Sequence, residues 1–166
     1  MKTFLMSILM LSSLTAFAGN EGPSGAPPVD PPVLAKVEVW IPFGPPESPG
    51  SVTLTIDSKG RIVREDQYRN NRSVKRSVGK LSTAVVKGLA KAVSAVKPGK
   101  LVDPDPKDEG CFDAPTTTYT AINAEGEIQI SQKMRCKHFE KENSGTAEQQ
   151  VESALAAAMN LSHLAK

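Results

Sequence analysis

Two turns constrain what this chain can fold into. Asp57-Ser58-Lys59-Gly60 and Asn123-Ala124-Glu125-Gly126 lie 66 residues apart, each between runs of alternating apolar residues. An Asx residue three positions before a glycine fits a type I turn, in which the glycine takes the positive φ that closes a hairpin. The first hairpin pairs residues 51–56 with 60–68, and the second pairs 116–123 with 126–134. Side chains alternate along a strand, so Val52, Leu54 and Ile56 share one face of the first hairpin and Thr53 and Thr55 the other.

A polar connector follows each hairpin, residues 70–79 and 137–145, and a helical pattern follows each connector. In 80–97, Leu81, Val85, Leu89, Val93 and Val96 recur at helical spacing, and Pro98-Gly99 stops the run. In 146–164, Thr146-Ala147-Glu148-Gln149 has the form of a capping box and sets the start. Shifted by 66 without a gap, residues 51–100 and 117–166 agree at 11 of 50 positions. Ile56 meets Ile122, Gly60 meets Gly126, Ile62 meets Ile128, Leu89 meets Leu155 and Ala92 meets Ala158. These are turn glycines and apolar stripes, where a fold restricts residue type most. The expectation is an α+β fold. A duplicated ββα unit, about 51–100 and 117–166, forms a four-stranded antiparallel sheet with two helices packed on one face. Residues 33–41, where Val37, Val39 and Ile41 alternate, make a fifth strand if they join it. The other face is expected to carry Thr53, Thr55, Val63, Tyr119 and Ala121.

Residues 1–18 have the layout of a secretory signal peptide. Lys2 lies in a short positive segment, 4–14 is apolar, and Ala16-Phe17-Ala18 is a small-x-small cleavage site. The apolar run is too short to span a bilayer, and no later run is long enough. Residues 19–32 are rich in Gly and Pro without apolar periodicity, the pattern of a disordered arm. Residues 33–166 are expected to make one domain. Export to the periplasm or the medium places Cys111 and Cys136, the two cysteines, in an oxidising compartment where one disulfide is the simplest state. A closed loop of about 26 residues stabilises a fold by roughly 3–4 kcal/mol on the chain-entropy estimate.

The net charge of +2 hides an asymmetry: residues 59–100 carry 12 Lys/Arg and two acids, and 101–166 carry 11 acids and six bases. The total is too small to indicate a nucleic-acid binder. The sharpest basic feature is Arg69, Arg72, Lys75, Arg76 and Lys80, a candidate anion-binding patch in the first connector. Tyr68 is the one aromatic residue beside it, which disfavours a stacking platform for single strands. His138 sits in the charged connector Lys137-His138-Phe139-Glu140 and His163 in the last turn of the second helix, and no H-E-x-x-H, G-x-S-x-G or Walker pattern is present. The sequence therefore points to no enzyme and no cofactor. It reads as a small exported binding module for a protein or an envelope component, with inhibition of an envelope or extracellular enzyme as one form. An anionic polymer or membrane-surface binder is the second reading and a small secreted hydrolase the third. The contact surface would be the free sheet face, with the 45–50 loop, stiffened by its prolines, or the basic 69–80 connector at its edge.

Overall fold

The computed structural model describes residues 30–105, 114–135 and 137–164. Residues 1–18, residues 19–29 of the 19–32 segment, and both Cys111 and Cys136 lie outside the described residues. The elements below all fall within one unit, Pro31–Lys166.

Strand β1 (Val33–Trp40) sits in the middle of the sheet. It pairs antiparallel with β2 (Pro49–Asp57) on one side and with β6 (Thr116–Asn123) on the other. Beyond β2 lie β3 (Arg61–Tyr68) and the edge strand β4 (Ser73–Lys80). Beyond β6 lie β7 (Gly126–Lys133), β8 (His138–Lys141) and the two-residue β5 (Leu101–Val102). The order is β4-β3-β2-β1-β6-β7-β8-β5, and every neighbouring pair is antiparallel.

Among the described residues the sheet thus has eight strands, where the sequence pattern led to four or five. Both connectors contain strands: Ser73–Lys80 forms β4 and His138–Lys141 forms β8. An edge strand is held by one ladder and buries little, so it needs no apolar alternation. Ser73–Ser77 are all exposed, and their polarity hides the strand from a periodicity argument. The strand at 33–41 does not extend the sheet but occupies its centre. There Ala35 and Val37 are buried under the helices, and Lys36, Glu38 and Trp40 turn to the other side.

Helices α1 (Thr83–Ala95) and α2 (Thr146–Leu164) pack on each other and on the same face of the sheet. Across that face Ala35 meets Ile56 and Ala121, and Val37 meets Leu54 and Tyr119. These residues, with Ile62, Ile128 and Ile130, form the core with Leu89, Val93, Val151, Leu155 and Ala158 of the helices. Burying each large aliphatic side chain contributes about 1.5–3 kcal/mol. Tyr119 and Ala121 are therefore core residues and not part of the free face.

Both helix starts differ from their sequence signatures. Ser82 caps α1, its hydroxyl accepting from the Val85 N–H, and the inward stripe is Val86, Leu89, Val93 and Val96. Val85 is left 46% exposed. At α2 the cap is Gly145, whose carbonyl accepts from Gln149. Its N–H donates to Glu148 at 3.0 Å, so only the acidic half of a capping box forms.

The turns match their sequence reading. Gly60 and Gly126 have φ of 79° and 107°. Asp57 and Asn123 each accept a 2.9 Å bond from the backbone N–H two residues on, at Lys59 and Glu125. The ungapped 66-residue match holds at the turn glycines and at core pairs such as Ile62/Ile128 and Leu89/Leu155, but not in the strand before the second turn. Ile56 and Ala121 hold the corresponding places beside Ala35, whereas Ile122, matched to Ile56 by sequence, pairs with Glu127 and faces away from the helices.

Candidate binding face

The helices cover one side of the sheet, and among the described residues the other side has no second layer. The register lays a continuous row across seven strands of that bare side: Lys75, Glu65, Thr53, Glu38, Thr118, Gln132 and Phe139. The adjoining rows carry Ser51, Trp40 and Thr116 on one flank, and Val63, Thr55, Lys36 and Thr120 on the other. The face is thus made mainly of hydroxyl, amide and charged side chains, with Val63 and Phe139 among them and the indole of Trp40 beside them. Of the five residues expected there, Thr53, Thr55 and Val63 are present.

A groove of about 310 Å³ lies on this face, lined by Glu38 and Trp40 of β1, Thr116 and Thr118 of β6, and Gln132 of β7. Trp40 is 52% exposed and Phe43, in the loop that follows, 64%. The loop is fixed by its own bonds. The Ile41 N–H donates to Gly50 at 2.8 Å, and Ser48 donates to Pro45 from both its N–H, at 2.9 Å, and its hydroxyl, at 2.7 Å. Arg69 adds a clamp, donating to the carbonyls of Ile41 at 2.8 Å and Pro42 at 3.0 Å. The site's chemistry is that of a rigid apolar plate beside two hydroxyls, one amide and one carboxylate. Such a set binds by stacking and hydrogen bonding. Glu38 opposes polyanions.

The structure disperses the candidate anion-binding residues. Arg69 is spent on the loop carbonyls. The Arg72 guanidinium stacks on the Tyr68 ring at 4.2 Å. Lys75 lies opposite Glu65 on the bare face, while Arg76 lies opposite Arg64 on the helix side and reaches Asp66 at 3.6 Å. Lys80 ends β4 opposite Arg61. One strand presents these charges to two faces, so they do not form a single patch.

On the helix side, a cluster that the sequence did not signal joins α2 to the sheet. Ser131 donates to Glu152 at 3.0 Å, Lys133 also bonds Glu152, and the Lys133 ammonium lies 5.3 Å from the centre of the Tyr119 ring. Burial pushes the Tyr119 hydroxyl's pKa up and Glu152 adds to the rise, while Lys133 opposes it. Ser131 is 2% exposed and its proton is committed to a carboxylate already paired with lysine, an arrangement for packing rather than for attack on a substrate. No group of three or more His, Cys, Asp or Glu side chains suited to a metal ion occurs among the described residues. His138 lies 3.6 Å from Glu140, and His163 ends α2 on the surface. No helix among the described residues is long and apolar enough to cross a membrane.

No family model matches the chain, and no curated protein matches it significantly. No family or homologue therefore indicates an enzyme. Among solved structures it is similar to a chain from work on SsgB, mutations in which correlate with longitudinal cell division during sporulation of Streptomyces coelicolor. That likeness has 10% identity, 81% of this chain and 96% of that one covered, and a TM-score of 0.23.

Proposed function

We propose that the protein is a small exported binding module that engages a protein or an envelope component through the bare face of its sheet, with the Trp40 groove at the centre of the contact. The observation that carries this reading is the exposure of Trp40 and Phe43, at 52% and 64%, beside four hydrogen-bonding side chains that no helix among the described residues covers. Exposed aromatic area is free energy a partner gains by covering it. A strand at the middle of a sheet and a loop fixed by Arg69 lose little freedom when that happens. Inhibition of an envelope or extracellular enzyme is one form of such binding. The test is comparative capture from the envelope and extracellular fractions of the producing cell. A partner held by the wild type should be lost with Trp40→Ala and Thr118→Arg and kept with Val85→Ala, on the helix side. Equal retention by all four proteins would refute the site.

The signal-peptide pattern in residues 1–18 supports export, and export in turn supports a Cys111–Cys136 disulfide. The intact mass of the exported protein tests both, with a chain beginning at Gly19 and lacking two hydrogens expected. A duplication with a one-residue slip is our reading of the two halves. It is supported by strand-strand-strand-helix order on either side of β1 and by matching Asx turns at Asp57 and Asn123. Relatives whose halves resemble each other no more than unrelated chains would count against it. Anionic binding through the basic segment is the second reading. It is favoured by the local charge of residues 61–80, seven Lys/Arg less two acids, or +5. Nothing in the geometry favours a hydrolase.

A further inference from the structure

We infer that the edge strand β4 is a strand-addition site for an acidic, extended polypeptide segment. The two edges of the sheet are unequal. One ends in β5, two residues long, and the other in β4, eight residues long with Ser73–Ser77 all exposed. Among the described residues β4 has one neighbour, β3. The Tyr68 N–H donates to the Arg72 carbonyl at 2.8 Å. Antiparallel pairing alternates, so Val74 and Arg76 turn their backbone groups towards β3, and Ser73, Lys75 and Ser77 turn theirs outward. This is an open ladder of the kind that accepts another strand.

The charges choose the occupant. Lysines on an edge ordinarily prevent self-pairing, and that role needs no like charges on the neighbouring strand. Here Arg64 stands directly opposite Arg76, a like-charge pairing that destabilises a sheet, while Lys80 lies opposite Arg61, whose guanidinium is already held by Asp57 at 3.0 Å. Asp66, only 4% exposed, serves both Arg64, at 2.7 Å, and Arg76, at 3.6 Å, so one carboxylate answers two guanidiniums. Lys75 and Lys80 have no ion-pair partner among the described residues. A second copy of β4 would repeat these charges and is repelled. An incoming strand with alternate acidic residues supplies a further carboxylate beside Arg76, which shares Asp66 with Arg64, or beside Lys75, which faces Glu65 across the strand without an ion pair, while its backbone completes the ladder. This inference rests on the anionic reading of the basic segment and is independent of the Trp40 groove.

The test uses the full chain, an eight-residue peptide alternating glutamate and valine, the same peptide N-methylated at alternate residues, and a heparin oligosaccharide. NMR-detected hydrogen exchange reads the outcome. Slowed exchange at the Ser73, Lys75 and Ser77 amides with the first peptide, no binding of the methylated one, and about tenfold weaker binding by a Lys75→Glu/Lys80→Glu variant are expected. Equal affinity for heparin without slowed amides would overturn strand addition and leave a polyanion site. No binding of any probe would overturn both. Peptide binding that the double variant leaves unchanged would overturn the selection by charge.

Discussion

Asp57 and Glu148 are two carboxylates that the fold holds in their charged form. Burial pushes the Asp57 carboxyl's pKa up, but bonds from the Arg61 backbone and guanidinium and from the Lys59 N–H outweigh it, and the net shift is downward. Glu148 follows the same balance. Burial raises it, and the Lys141 ammonium at 2.9 Å and the Gly145 N–H bring it below the usual range. The folded protein therefore binds these protons less tightly than the unfolded chain does, and unfolding takes up protons as the pH falls. Their contribution is complete above the ordinary carboxylate range, near pH 4 to 5, and is lost as the pH drops through and below it. Urea midpoints between pH 7 and 3 should fall on the acid side. Asp57→Asn and Glu148→Gln should each flatten that fall, and an unchanged acid slope in both variants would contradict the assignment.

At the level of elements, the second hairpin is tied to the helix of the first half. The Asn123 amide donates to the carbonyls of Val93, at 3.1 Å, and Val96, at 3.0 Å, capping the end of α1. Lys97 and Glu125 pair beside it. Asp57, in the corresponding turn, is a carboxylate and has no N–H to donate. Asn123→Asp keeps the turn's acceptor, removes both donations and sets a negative charge at the negative end of a helix. A loss of about 1–3 kcal/mol is expected in urea denaturation, and a variant as stable as the wild type would refute the cap. The turns were legible because Gly60 and Gly126 stand where a positive φ is needed. The helices were legible from their apolar period: Leu89, Val93 and Val96 of α1 point inward as expected, and at the helix start Val86 takes the buried place in Val85's stead. The strands β4, β5 and β8 were not, since each is polar or short and is specified by its neighbour's ladder rather than by its own residues.

For the whole molecule, the placement of β1 decides what is exposed. A strand added at an edge would have left Trp40 on a rim. In the centre it projects the indole from the middle of a wide sheet, next to hydroxyls contributed by a strand 76 positions later, Thr116 being paired with Trp40. That pairing is long-range, so the groove was not legible in sequence. The free face was, in outline, through Thr53 and Thr55. The basic run was conspicuous as a sequence feature, yet its residues serve a loop clamp, a ring stack and two faces of an edge. Alternation along β4, which only the strand assignment supplies, is what separates them.

Trp40 is the single tryptophan, so 5-fluorotryptophan labelling gives one fluorine signal, reporting from the groove itself. Adding the envelope or extracellular fraction that contains the captured partner should shift or broaden that signal in the wild type and leave it unmoved in Thr118→Arg. A signal that stays in place while the partner binds, or that moves equally in both proteins, would contradict binding at the bare face of the sheet.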